Sequence, residues 1–357
     1  MTMPRNTKTG RAVPFSIALV AAALTGLGFA RPVHAQEDVA AFFKDKQLKM
    51  VVGSAAGDGY DLNARMLIRH LVNHIPGKPS IVIQNQPGAA SVSMTNALYN
   101  GAPRDGTVMG AAINGMTTAP LVTPEIVKFD LSKLIWVGST NRDIQITYVW
   151  HTAPVKTPQD LLTTELLVGA TSAGTTHVDY PVVARALLGL KFKLVSGYPG
   201  TGPVHIAIER GEVQGFGANG WLALKALKSD WLAENKVRIV MQYGMERSPQ
   251  FPDVPAIGEL LKTEEDRQAI EMMVTRLQFG RPFFLPPDVP AARVEALRRA
   301  FDATMKDPAY LAEAEKAKLD VAPMKGEEIG PLVAKVLATP PAVVARVRAA
   351  LSEGAKK

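Results

Sequence analysis

Twice in this chain a short apolar run leads through a turn of small residues into a helical repeat. The first copy is Leu48-Lys-Met-Val-Val52, then Gly53-Ser-Ala-Ala-Gly-Asp-Gly-Tyr-Asp61, then a stretch whose apolar positions Leu67, Ile68, Leu71, Val72 and Ile75 recur at helical spacing. The second copy is Leu166-Leu-Val-Gly-Ala170, then Thr171-Ser-Ala-Gly-Thr-Thr-His177, then a helix from Val178 to Leu188. Each copy heads a longer series. After the first come a strand at Ser80-Ile-Val-Ile-Gln84, a turn at Asn85-Gln-Pro-Gly-Ala89, a helix from Ala90 to Tyr99 and a strand at Thr107-Val-Met-Gly-Ala-Ala-Ile113. After the second come strands at Phe192–Val195 and Val213–Ala218 around a helix from Val204 to Arg210. Both series read β-α-β-α-β, the pattern of an open, parallel-rich sheet with helices on both faces. The spacing therefore predicts an α/β protein of two similar lobes. Ligands of such sheets bind outside the carboxyl ends of the strands.

That rule directs attention to the residues just past each strand: 53–61 after the first, Asn114-Gly-Met-Thr-Thr118 after the third, and 171–177 in the second series. A Gly-rich turn entering a helix aims unpaired N–H groups and the positive end of the helix dipole at one point, which suits an anion. Asp61 is expected as the N-cap of the first helix. Neither turn contains Arg or Lys, so an anion held there would rely on backbone N–H groups, dipoles and hydroxyls. Hydrogen bonds to a charged group contribute roughly 1.5–3 kcal/mol each, so a few suffice for micromolar binding, ~8 kcal/mol. Asp58 is an anion beside an anion site. It either turns away to cap the turn or binds a ligand ammonium or a water. The same turns read equally well as plain structural turns.

Nucleotide motifs are absent. The third glycine of a dinucleotide fingerprint would fall at Leu62, the Gly-x-x-Gly-x-Gly of 197–202 is out of order, and no Gly-Lys-Ser/Thr is present. Ser172 with His177 nearby suggests an exported hydrolase as an alternative, but Gly169-Ala-Thr-Ser-Ala-Gly174 is no Gly-x-Ser-x-Gly elbow. For His177 a site role and a capping role are both open. His70 and His74 stand four apart on a helix, a spacing that can bind metal, but without an HExxH motif they read as half-buried polar-flank histidines. No metal or cofactor is expected.

The 357 residues suffice for one large or two medium domains, and the absence of cysteine excludes a disulfide framework, thiol catalysis and a lipobox. Arg5, Lys8 and Arg11, the apolar stretch Phe15 to Ala30 and Val33-His-Ala35 form the three regions of a secretory signal peptide, so cleavage is expected near Ala35, leaving Gln36 first. Read instead as a membrane anchor, the apolar stretch is shorter than the ~20 residues a span needs. Residues 1–35 carry four of the cations behind the formal charge of +7, so the mature chain is near +3, with no basic stripe to argue for nucleic acid.

The two turns also belong to an ordered set of short matches. Ala55-Ala-Gly-Asp-Gly-Tyr-Asp-Leu-Asn-Ala-Arg65, Asn85-Gln-Pro-Gly-Ala89, Pro103-Arg-Asp-Gly106, Ala173-Gly-Thr-Thr-His177, Gly197-Tyr-Pro-Gly200, Arg247-Ser-Pro-Gln-Phe-Pro-Asp-Val-Pro255 and Phe284-Leu-Pro-Pro-Asp-Val-Pro290 succeed one another along the chain. In this order they resemble the periplasmic solute-binding receptors of the tripartite tricarboxylate transporter family, the TctC or Bug type. The resemblance implies a two-lobed periplasmic-binding-protein fold, type II-like, with a two-strand hinge that closes around a small organic carboxylate. It implies a monomer serving membrane permease subunits of the TctA/TctB type. A ligand-dependent partnership with a sensor kinase would use the same closed form. Under this reading residues 1–35 are the signal peptide, 36–143 and 241–357 form lobe one, and 144–240 form lobe two. Val237–Tyr243 leads back to lobe one, on which the C-terminal helices, including one from Pro290 to Met305, are expected to pack. The implied ligand-binding residues are Ala55, Ala56, Gly57, Asp58, Gly59, Tyr60, Asn114, Gly115, Met116, Ser172, Ala173, Gly174, Thr175, Thr176, His177, Tyr198 and Asn219.

Overall fold

Two sheets share one strand order, and the way the chain passes between them explains why. A computed structural model describes residues 38–354 apart from Ser172 and Asp320. The expected signal peptide and the Ser172 assignments lie outside the described residues. After a short helix α1 (Val39–Phe43), the first series forms as the pattern predicts: β1 (Gln47–Val52), α2 (Gly59–His74), β2 (Ser80–Asn85), α3 (Val92–Gly101) and β3 (Val108–Ala111). A four-residue helix α4 (Ala119–Val122) then leads toward β4 (Ile135–Ser139). β1 pairs in parallel with both β2 and β3. Its alternation is clear: Leu48, Met50 and Val52 enter one buried cluster with Leu67, Leu71, Leu297 and Phe301, while Val51 enters another with Met94, Leu98 and Phe284.

The chain leaves after β4 and enters the second sheet as β5 (Gln145–Trp150). There the series repeats: β6 (Leu166–Gly169), α5 (Thr176–Leu188), β7 (Phe192–Val195), α6 (Thr201–Glu209) and β8 (Gly215–Gly220). Two short helices, α7 (Trp221–Leu227) and α8 (Ser229–Ala233), precede β9 (Val237–Tyr243) and α9 (Glu264–Thr275). The return strand is β10 (Pro282–Leu285), followed by α10 (Ala291–Thr304), α11 (Pro308–Lys316), β11 (Met324–Lys325), α12 (Gly326–Leu337) and α13 (Pro341–Gly354). The sheet orders are β11-β4-β10-β3-β1-β2 and β7-β6-β8-β5-β9. In each, a parallel trio is flanked by an antiparallel strand that has just arrived from the other sheet: β10 beside β3, and β5 beside β8.

The two crossing segments lie side by side. Thr140 N donates to Arg281 O at 3.4 Å, Gly280 N to Asn141 O at 2.9 Å, and Asp143 N to Leu277 O at 2.8 Å. This antiparallel ladder is the two-strand hinge.

The C-terminal helices divide between the sheets. α10 packs on α2 and β4, and α12 on β4. α9 and α13 instead join the core around the second sheet, where Met273, Val343 and Val347 cluster with Val168, Tyr180 and Phe192. All of β9, to Tyr243, lies in the second sheet. The apolar faces of these helices do not encode which sheet they cover, because both sheets offer the same kind of surface. Among the described residues, no single helix is long and apolar enough to cross a membrane.

Candidate functional site

The turn between β1 and α2 is tied internally by two carboxylates. α2 begins at Gly59, and its N-cap is Asp58 rather than Asp61. Asp58 Oδ1 accepts from Tyr60 N at 2.9 Å, Asp61 N at 3.0 Å and Ser54 Oγ at 2.8 Å. Of the two roles open for Asp58, it therefore takes the cap. Asp61, three residues on, is 1% exposed. Its Oδ2 accepts from Gly57 N at 2.7 Å and Arg65 Nε at 2.8 Å, and its Oδ1 from Asn85 Nδ2 at 2.9 Å. Burial pushes the Asp61 carboxyl up, but the bonds from Arg65, Gly57 and Asn85 outweigh it and hold the group below the usual aspartate range. The helix N-terminus thus already carries an anion. Ala55, Ala56, Gly57 and Gly59 stand exposed along the turn's outer edge.

The turn between β6 and α5 repeats this design. Gly57 has φ +83° and Gly174 has φ +84°, the left-handed region that only glycine enters without strain. As Asp61 holds Gly57 N, so Asp179 Oδ1 accepts from Gly174 N at 3.0 Å. Thr175 is the N-cap of α5, without a side-chain cap bond.

The loop after β3 brings the two turns together. Burial pushes the Tyr60 hydroxyl above the usual tyrosine value, against the pull of the Arg281 charge and of the Asn114 backbone. Arg281 lies over the Tyr60 ring, 4.1 Å from its centroid. A Cβ built on Gly115 would stand 3.3 Å from Gly174 O, and one on Gly174 would stand 3.7 Å from Ala90 Cβ. The Gly174 turn therefore lies within side-chain reach of Gly115 and Ala90. Ala90 belongs to a run, Ala89 to Ser91, with φ of +45°, +50° and +76°. Ser91 Oγ holds this run by donating to Gly53 O and accepting from Ile113 N.

The family model described as the tripartite tricarboxylate transporter family receptor, TctC, matches residues 64–348. The chain belongs to this receptor family. A Cupriavidus necator protein described as "UPF0065 protein in gbd 5'region" is 26% identical over 253 residues, spanning 68% of this chain and 72% of that protein. Among solved structures, a TctC solute-binding protein from Polaromonas without ligand has a TM-score of 0.63 at 19% identity, covering 86% of this chain and 98% of that one. MatC from Rhodopseudomonas palustris with bound malate has a TM-score of 0.61 at 18% identity, covering 85% and 99%. A second R. palustris protein, with adipate, has a TM-score of 0.62 at 19% identity, covering 85% and 97%. Receptors of this kind are solute-binding proteins and in general are not enzymes.

In this TctC-type receptor His177 heads a chain of side-chain hydrogen bonds. Asn219 Nδ2 donates to Tyr148 Oη at 3.1 Å, so Asn219 Oδ1 accepts from His177 Nε2–H at 3.1 Å. His177 Nδ1 then accepts from Thr171 Oγ1 at 3.0 Å. Tyr148 Oη passes its own proton toward His205 Nε2 at 2.8 Å. Burial pushes both imidazoles down to about 4. Both ring nitrogens of His177 are thus engaged among the described residues. Asn219 likewise positions His177.

Other assigned residues have plain positions. Asn114 is 2% exposed and its Nδ2 donates to Arg276 O at 3.3 Å. Met116 is wholly buried in the core of the first sheet. Tyr198 packs against the cluster around Tyr148 and Phe216, and its N–H bonds Ala170 O at 3.3 Å. Ala173 is exposed, and Gly174, Thr175 and Thr176 are half-buried. His70 and His74 each pair with a carboxylate of the α11 region: His70 Nε2 with Glu313 at 2.7 Å, His74 Nε2 with Asp307 at 2.9 Å. Sequence spacing misses Ala90, Asp179, Arg276 and Arg281. Asp179 carries a signal, since it stands after Gly174 much as Asp61 stands after Gly57. The two arginines carry none, because the hinge delivers them from far along the chain.

Proposed function

We propose that this receptor captures a small organic carboxylate between its two lobes and delivers it to membrane permease subunits of the TctA/TctB type. One observation carries the reading: matched glycine turns, each at a strand-to-helix junction and each pinned by a buried aspartate, meet across the loop at Gly115. A receptor that closes on its solute needs one such surface per lobe. The donors for a ligand oxygen are the exposed backbone at Ala55, Ala56 and Gly59 in lobe one. In lobe two they are Thr175, Thr176 and the adjoining backbone. Because Asp58 and Asp61 occupy the amides of Gly57, Tyr60 and Asp61, the ligand carboxylate sits at the outer edge of the first turn. The lobes divide at the paired crossing segments. The malate and adipate of the two R. palustris structures fit this ligand class.

The site of action is the periplasm, with residues 1–35 removed on export, and no cofactor is needed. The test is a thermal-shift screen of the purified receptor against mono-, di- and tricarboxylates, with product analysis of each sample. A saturable rise in melting temperature without turnover is expected. Conversion of any acid or ester would contradict the proposal.

A further inference from the structure

The guanidinium of Arg276 lies where the loops of the two lobes meet, and its hydrogen bonds are incomplete. The residue is 2% exposed. Nη1 donates to Thr118 Oγ1 at 3.1 Å, and Nε reaches the Tyr180 hydroxyl at 3.4 Å. Nη1 is also 3.2 Å from the place where a Cβ on Gly115 would stand. Nη2 has no hydrogen-bond partner among the described residues. Its nearest counter-charge, Asp179 Oδ2, is 3.7 Å away, and Asp179 Oδ1 is committed to Gly174 N. Asp179 therefore offsets the charge of Arg276 without filling its donors.

A guanidinium presents five N–H groups in a fixed planar fork that matches the two oxygens of a carboxylate. Leaving such donors buried and unmade carries a desolvation cost that a purely structural arginine would avoid by pairing with protein acceptors. The side chain is also held in place, because Asn114 Nδ2 bonds the Arg276 carbonyl at 3.3 Å and Thr118 bonds Nη1. The unfilled edge thus sits among Gly115, Thr118, Asp179 and Tyr180, residues drawn from both lobes.

We propose that Arg276 is a ligand-binding residue whose Nη2 edge takes an oxyanion at the distal end of the solute, so that the receptor selects diacids over monoacids of equal chain length. This rests on the carboxylate-receptor reading and adds to it the second acidic group. The proximal carboxylate stays with the glycine turns. Asp179 repels the distal oxyanion and limits the gain, so the preference is about tenfold, below that of an unopposed charge-assisted pair. Lysine at this position keeps the charge but loses the fork.

The test is calorimetric titration of the purified receptor with matched pairs: butanoate and succinate, pentanoate and glutarate, hexanoate and adipate. Wild type, Arg276→Gln and Arg276→Lys are compared, each checked for folding by circular dichroism. In wild type at least one diacid should bind about tenfold tighter than its monoacid. In Arg276→Gln that ratio should fall to near one while monoacid affinity is kept, and Arg276→Lys should lie between. The wild-type ratio and Arg276→Lys carry the test if Arg276→Gln does not fold. A ratio unchanged in Arg276→Gln, or a wild type with no preference for diacids, overturns the assignment. Failure of wild type to bind any acid overturns the carboxylate reading beneath it.

Discussion

Asp58 and Asp61 show how one residue's role turns on its neighbours. By spacing alone Asp61 is the expected cap, because Leu62 stands at the head of the apolar repeat. In the structure the helix starts earlier, Asp58 takes the cap, and Asp61 holds the glycine from inside. An aspartate three places into a helix can reach back to a turn only if the turn folds over it, and that information lies in Asn85 and Arg65, not in the local spacing. For His177 the sequence leaves a site role and a capping role open, and in the structure both of its ring nitrogens have protein partners. It anchors a buried chain of bonds whose other members, Asn219 and Tyr148, lie on β8 and β5. That chain has a measurable consequence. Folding depresses the pKa of His177 and His205 from the usual value near 6.5 to about 4. The unfolded chain then binds protons before the folded one does. Stability from this source is full above pH ~6.5 and is lost as pH falls through the interval down to the folded value, by on the order of 1–3 kcal/mol per histidine. Urea melts at steps from pH 7.5 to pH 4 should show the decline, and His205→Phe should flatten it. An identical slope in that variant would argue that His205 is already protonated in the folded protein.

At the scale of elements, both β-α-β-α-β series are legible, because strand and helix periods differ and the turns between them are rich in glycine and proline. Starts of helices are less so. α3 begins at Val92 rather than Ala90 because Ala89 to Ser91 turn left-handed, a conformation alanine seldom adopts and whose strain of roughly 1–3 kcal/mol per residue no spacing rule announces. That strained run places Ala90 against Gly174. Arg276 and Arg281 are invisible for a different reason: the pairing of the crossing segments, not sequence proximity, brings them to the site. The tight contact at Gly115 gives a test of how the elements close. A side chain there would crowd Arg276 Nη1 at 3.2 Å and Gly174 O at 3.3 Å, without backbone strain. Gly115→Val should weaken ligand affinity by about tenfold, some 1.4 kcal/mol. The unliganded protein should melt within about 1 kcal/mol of wild type, since opening the lobes relieves the clash. Equal affinity in wild type and variant, by calorimetry, would mean that the lobes do not close at this point in the bound state.

For the whole molecule, the strand order results from two crossings. Each sheet keeps its parallel trio and accepts one antiparallel strand from the other side. The two lobes are legible as two series. The placement of α9 and α13 is not, since it depends on which apolar surface lies nearer once the hinge has formed. The central claim is that the cleft recognises a carboxylate through the backbone and hydroxyls of two facing turns. The most direct measurement is a pair of calorimetric titrations: the acid that gives the largest thermal shift, and the methyl ester of its proximal carboxylate. Esterification removes the charge and adds bulk where backbone must approach closely. Saturable micromolar binding of the acid with no detectable binding of the ester is the predicted result, while an ester that binds as tightly as the acid would contradict it.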